Sequence, residues 1–313
     1  MKRIKMSQSN GSKTIKEGFN EFIKYCKVKN LSERTIKYYT DYMTLFQDFL
    51  DQRNLHLTKE ISKELINEYT LSLKESGAYN DISINTAIRA VRAIVYHFQR
   101  QGYTPQFKII LLKTDKEVKE TYSQHELRIL LKKPKTADFT EYRNWVKVNF
   151  LLATGVRVGE LVNIKIRDID VDEAIVKVKR SKSRRERHIP LSKTMLKILV
   201  EYITTRNPET VDDYLFCNAF GNKLREDSCN HAIGRYNNQR GVDKTSVHLF
   251  RHTFAKMYIL NGGDIFRLQK LLGHRGIETV KEYVNMFSND VQIDFDKFSP
   301  LEQLTADNKT IKL

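Results

Sequence analysis

Apolar residues in the first third of the chain recur at intervals of three and four. Ile84, Ile88, Val91, Val95 and Phe98 form one such stripe; Ile36, Tyr39, Met43, Phe46 and Leu50 form another; Ile15, Phe19, Phe22 and Cys26 form a third. That period places each set on one face of a helix, which needs partner helices to cover it. SKELINEYTLSLKESG supplies a fourth helix, Ser12, Ser32 and Ser83 occupy N-cap positions, and Gly77 and Gly102 fall where helices should stop. The spacing therefore predicts a helical domain over residues 13–103.

A proline and a charged run then break the periodicity in TPQFKIILLKTDKEVKET, so residues 104–121 read as a linker. A second domain, 122–313, opens at SQHELRILL, where Ser123 and Glu126 fit a capping box. One helix should end near Thr154. AIVKVK and ERHIPL then alternate as strands around a polar turn, and helices return from Lys193. The expected fold class is mainly α with a small β-hairpin or sheet, an α+β arrangement in two domains.

Charge narrows the partners. Lys and Arg outnumber Asp and Glu by 54 to 38, a formal net charge of +16 spread along the chain, which points to a polyanion, nucleic acid ahead of membrane. No apolar run approaches the roughly 20 residues that span a bilayer, and the basic start MKRIKMSQSNGSK leads into no apolar segment. A soluble, cytoplasmic protein is expected. Cys26, Cys217 and Cys229 are odd in number and lack metal-ligand spacing, so they read as buried thiols; a metal shared by Cys217, Cys229 and His231 is the weaker alternative.

Several basic groups lie off the apolar stripes. Arg34, Lys37, Arg89 and Arg92 fit either phosphate contact or a solvated helix face. In KVKRSKSRRERH, residues 177 to 188 hold seven Lys or Arg and one Glu, a density suited to a groove or a phosphate backbone, with Lys179, Arg180, Arg184 and Arg185 as contacts. Lys182 sits at that turn, where an ammonium can donate a proton to a reacting group. In LLATGVRVGEL, Arg157 follows Gly155 at a helix start, an awkward place for a cation unless it serves an anion or a carboxylate; pairing with Glu160 one turn on is the plain reading.

The stretch VHLFRHTFAKMYILNGGDIFRLQKLLGHRGIETVKEYVNM adds His248 and Arg251 three apart on one helical face, His274 after Gly273, and Tyr283 nine residues later. Singly, each histidine or tyrosine reads as a packing residue. Together with Arg157 and Lys182 they suit phosphoryl transfer: arginines and imidazoles hold the nonbridging oxygens, a tyrosine hydroxyl attacks, and a lysine protonates the leaving oxygen. There is no dense Asp/Glu/His cluster and no GxxxxGK[ST] loop, so neither metal nor ATP is expected.

These motifs, in this order, resemble the tyrosine recombinases of the phage-integrase family, in a Xer-like layout. Residues 13–103 are similar to the family's core-binding domain and about 120–290 to its catalytic domain. TGVRVGEL matches the first arginine motif at Arg157, with Glu160 as supporting acid, and SKSRRERHIPL places the hairpin lysine at Lys182. HLFRHTFA matches the His-x-x-Arg motif at His248 and Arg251, LLGH gives His274, and ETVKEY gives the nucleophile Tyr283. Leu249 and Phe250 stand where most relatives have Asp-Leu, and Asn285 where many have histidine; Tyr258 falls outside the motifs and reads as core.

The resemblance implies site-specific recombination of double-stranded DNA through a 3′-phosphotyrosyl link, with no cofactor. It also implies a homotetramer on two DNA sites that passes through a Holliday junction, with the two domains closing on DNA. Integration and excision of a mobile element, or resolution of chromosome or plasmid dimers, would use the same chemistry. A DNA-binding protein that lost catalysis and a type IB topoisomerase are the rival readings; the intact catalytic set and the short chain count against them.

Overall fold

Side-chain caps set where the helices of the amino-terminal unit begin. A computed structural model describes residues 13–114, 120–179 and 186–273, with Gly276 and Ser299. The chain divides into two compact units, Met1–Glu117 and Val118–Leu313. The first holds α1 (Ile15–Val28), α2 (Glu33–Asp51), α3 (Lys63–Glu75) and α4 (Asp81–Arg100). Thr14 and Glu17 close a capping box on α1, and Ser32 and Ser62 cap α2 and α3. Asn80, not Ser83, caps α4: its side chain accepts the Ser83 N–H, which puts Ser83 one turn inside the helix. Asn and Ser cap equally well, so residue type alone does not choose between them.

The predicted stripes meet in one core. Phe22, Cys26, Met43, Phe46, Leu50, Tyr69, Ile84, Ile88, Val91, Val95 and Phe98 are all buried together. Gly77 and Gly102 end α3 and α4 with φ of 65° and 74°, the left-handed conformation that a glycine adopts without strain.

The first part of the segment expected as a linker belongs to this unit. Ile109 is buried, and Phe107, Leu111 and Leu112 pack on the same core. Backbone groups here are satisfied by side chains of α4: Gln99 Nε2 donates to the Pro105 and Phe107 carbonyls, and the buried Asn85 exchanges two hydrogen bonds with Leu112, at 2.8 and 2.9 Å. The segment is irregular because it borrows these partners in place of a ladder.

The second unit is built around α6 (Phe139–Thr154), which packs against α8 (Lys193–Arg206), α9 (Glu226–Asn238) and α10 (Val247–Leu260). Trp145, Val146, Val148, Phe150 and Leu151 of α6 are buried in its core. α5 (Gln124–Leu130) starts at the expected Ser123–Glu126 capping box, and α6 stops at Gly155 with φ 61°. α7 (Val158–Leu161) and α11 (Ile265–Leu272) complete the helices among the described residues.

The expected hairpin is β2 (Ile175–Lys179) and β3 (Glu186–Pro190), antiparallel, with the short β1 (Ile169–Asp170) on the other side of β2. Val176 pairs with Ile189 and Val178 with Arg187, so the period of two turns Arg187 toward the same side as the buried valines. All three cysteines are buried free thiols. No described helix is long and apolar enough to cross a membrane.

The Asn85 clasp gives a direct check. Asn85→Ala leaves the Leu112 amide and carbonyl without partners and is expected to cost about 1–3 kcal/mol. Urea unfolding should register that loss, and hydrogen exchange at the Leu112 amide should accelerate; an unchanged amide would mean the clasp does not hold the segment.

Candidate active site

Three elements of the second unit bring arginines together around Glu160 and the end of α11. The first is the α6–α7 corner. Gly155 takes a left-handed φ that frees the chain to turn, and a Cβ there would lie 2.5 Å from Phe254 Cδ1 and 2.9 Å from Leu272 Cδ2. Only glycine fits, so Arg157 is presented at the start of α7. Glu160 closes that first turn by accepting the Arg157 backbone N–H at 2.9 Å.

The expected pairing of Arg157 with Glu160 is present but thin. One guanidinium contact of 3.3 Å joins them, and the Arg157 side chain stays 40% exposed. The main partner of Glu160 is Arg187 of β3, whose Nη1 and Nη2 donate to the two carboxylate oxygens at 2.7 and 2.8 Å. Arg187 Nε donates to the Leu271 carbonyl at 2.8 Å. Burial by itself would raise the Glu160 carboxyl, but the hydrogen bonds and charge of Arg187, with Arg157 behind them, hold it below the usual range.

Arg251 arrives from α10. It is buried, and donates to the Gly155 carbonyl and to the Leu272 carbonyl, each at 2.7 Å. Arg157 Nη1 reaches the same Leu272 oxygen at 3.5 Å, so both guanidiniums converge on the end of α11. Two guanidiniums thus meet the one carboxylate, and a third, that of Arg251, joins Arg157 at the Leu272 carbonyl, an excess of positive charge suited to an anion.

His248 lies at the beginning of α10, three residues before Arg251 and exposed at the surface. Partial desolvation, then the charges of Arg251 and Arg157, lower its pKa below 6.5. The shift favours the neutral imidazole, which can accept a proton. The Leu-Phe pair between His248 and Arg251 has a packing reason: Phe250 is fully buried against Tyr122, with ring centroids 4.4 Å apart, and Leu249 packs on the core. Tyr258 packs on Phe254, as expected of a core residue.

Of the predicted site residues, Arg157, Glu160, His248 and Arg251 are thus gathered in one place. Lys182, His274 and Tyr283 lie outside the described residues, as do Arg180, Arg184 and Arg185. Lys179 is exposed and faces Asp168 at 3.8 Å. Arg187 lies within the basic run of the hairpin, and only its parity with Ile189 on β3 sets it apart.

In the first unit, Arg34 and Lys37 are exposed on α2 and Arg89 on α4, while Arg92 is half-buried. Tyr38 of α2 donates to the Thr86 carbonyl of α4 at 2.8 Å, and the charge of Arg89 is felt at its hydroxyl, so these residues border one helix pair. Lys37 also pairs with Asp41, an exposed contact of little energetic weight. Among the described residues no group of His, Cys, Asp and Glu could hold a metal ion.

A helical amino-terminal unit is thus followed by a unit in which Arg157, Arg187 and Arg251 converge, an arrangement suited to binding an anion. Residues 120–289 match the model of the phage integrase family, and residues 19–104 match its N-terminal SAM-like domain. The chain belongs to the phage integrase family, whose members cut and rejoin DNA. It is 29% identical to the tyrosine recombinase XerD of Staphylococcus haemolyticus, over 90% of this chain and 97% of that protein. Among solved structures, the Tn1549 transposon integrase bound to circular-intermediate DNA is 19% identical, with a TM-score of 0.72 over 86% of this chain and 94% of that one. The lambda integrase tetramer bound to a Holliday junction is 16% identical, with a TM-score of 0.69 over 88% and 78%. These two likenesses establish a shared fold.

The low histidine pKa carries a sign. The folded protein binds this proton less readily than the unfolded chain, so the stability involved is present above the unfolded value and is lost as pH falls through the folded one. In an NMR titration, His248 should have a midpoint below 6.5 that moves upward in Arg157→Gln, which removes one of the repelling charges. A midpoint at the ordinary value, or one indifferent to Arg157, would contradict this electrostatic account.

Proposed function

We propose that this protein is a site-specific DNA recombinase acting on double-stranded DNA. The observation that carries the reading is the convergence of Arg157 and Arg251 on the Leu272 carbonyl beside a carboxylate already held by Arg187. Two guanidiniums so placed can hold the nonbridging oxygens of one phosphate.

The steps follow from that grip. Arg157, Arg251, His248 and His274 bind the scissile phosphate. The Tyr283 hydroxyl attacks phosphorus, the bond to the 5′ oxygen breaks, and Lys182 gives that oxygen a proton. His248, its neutral form favoured, is suited to receive the tyrosine proton. The product is a 3′-phosphotyrosyl link with a free 5′-hydroxyl. A partner strand's 5′-hydroxyl reverses the reaction, so bond energy is conserved and no cofactor is consumed.

Arg34, Lys37, Arg89 and Arg92 in the first unit, with Lys179, Arg180, Arg184 and Arg185 at the hairpin, contact the DNA backbone. Strand exchange requires two sites and four protomers, which act in the cytoplasm. The biological role in this reading is integration and excision of a mobile element. Dimer resolution by the same chemistry is the second reading, favoured by the match to XerD along nearly its whole length.

The test is a nicked duplex that traps the cleaved strand, incubated with EDTA and without ATP. Wild type should form a covalent adduct on a denaturing gel and Tyr283→Phe none, while Arg157→Gln should form it about 100-fold to 1,000-fold more slowly. Sequencing the trapped DNA would separate element ends from a chromosomal resolution site. Clear binding without any wild-type adduct would favour a non-catalytic DNA-binding protein, and an adduct with Tyr283→Phe would assign the nucleophile elsewhere.

A further inference from the structure

Arg187 takes no part in the steps above, yet it holds both oxygens of the site's carboxylate. Its guanidinium occupies both oxygens of Glu160 and reaches the Leu271 carbonyl with the remaining edge. Its side chain and that of Glu160 are each only 9% exposed, against 40% for Arg157. Arg187 is thus turned inward and consumed by its partners, whereas Arg157 remains open to solvent.

The difference matters because two cations stand next to one buried carboxylate. A bidentate fork is the strongest way to satisfy a carboxylate, and a buried one cannot be left with a single weak contact. If Arg187 did not hold both oxygens, Glu160 would draw the fork of Arg157 onto itself. The observed division of side-chain contacts, two short guanidinium bonds from Arg187 and one of 3.3 Å from Arg157, whose backbone N–H also donates at 2.9 Å, leaves the Arg157 guanidinium available to another anion. The Leu271 contact adds a second restraint. It ties β3 to the last turn of α11, whose next carbonyl is the one that Arg157 and Arg251 share.

We infer that Arg187 is a positioning residue: by satisfying Glu160 and anchoring the Leu271–Leu272 turn, it keeps Arg157 free to grip the scissile phosphate. This rests on Arg157 being a phosphate ligand, as proposed above. Arg187 itself does not touch the DNA. A merely structural arginine and a positioning one differ in what should happen when Glu160 is neutralised at the same time.

The experiment is a double-mutant cycle on the full-length protein. Adduct formation on the nicked duplex is followed in single turnover at saturating protein, with fold checked by circular dichroism and DNA binding by mobility shift. Arg187→Met should slow cleavage about 100-fold with little change in binding, because Glu160 then captures Arg157. Adding Glu160→Gln should restore at least about tenfold of that loss, since an amide no longer competes for the guanidinium. Arg187→Lys, which keeps the charge without the fork and is the gentler change for folding, should lie between wild type and Arg187→Met.

If folded Arg187→Met and Arg187→Lys both cleave within about threefold of wild type, the inference is wrong. It is also wrong if Glu160→Gln gives no recovery in the Arg187→Met or, should that fail to fold, the Arg187→Lys background. The underlying assignment fails separately, and visibly, if Arg157→Gln cleaves as wild type does.

Discussion

A carboxylate taken out of water must be met by cations, and Glu160 is the carboxylate around which the second unit arranges its chemistry. Its partners come from segments far apart in sequence: Arg157 from the α6–α7 corner and Arg187 from β3, with Arg187 also bound to the end of α11. Removing the carboxylate would leave guanidiniums repelling one another; removing its partners would leave a buried charge unpaired.

From that pairing the remaining geometry follows. With Glu160 satisfied, the Leu271 and Leu272 carbonyls serve as acceptors for Arg187, Arg157 and Arg251. Gly155 makes this possible from the other side, since any side chain there would strike Phe254 and Leu272. Desolvation and then the charges of Arg251 and Arg157 lower the His248 pKa.

Much of this was legible in the chain. Helical stripes gave the four helices of the first unit, the capping box gave the start of α5, and alternation gave the β2–β3 hairpin. Arg157, Glu160, His248 and Arg251 could be named because their motifs are local. What escaped was non-local. Residues 104–112 resembled a linker because their backbone partners are Asn85 and Gln99, which no local pattern announces. Arg187 was concealed among seven basic residues, and only its inward parity on β3 separates it from a solvated turn. Asn80 took the cap expected of Ser83 because both residue types satisfy the same amides.

The most direct measurement is a crystal structure of the protein on a nicked duplex, read at the scissile phosphate. Arg157 and Arg251 should both lie within hydrogen-bonding distance of nonbridging oxygens of that one phosphate, with Glu160 still bidentate to Arg187. A phosphate bound elsewhere, or Glu160 paired bidentately with Arg157 while DNA is present, would contradict the central claim that this carboxylate is held so that the arginines can grip the substrate.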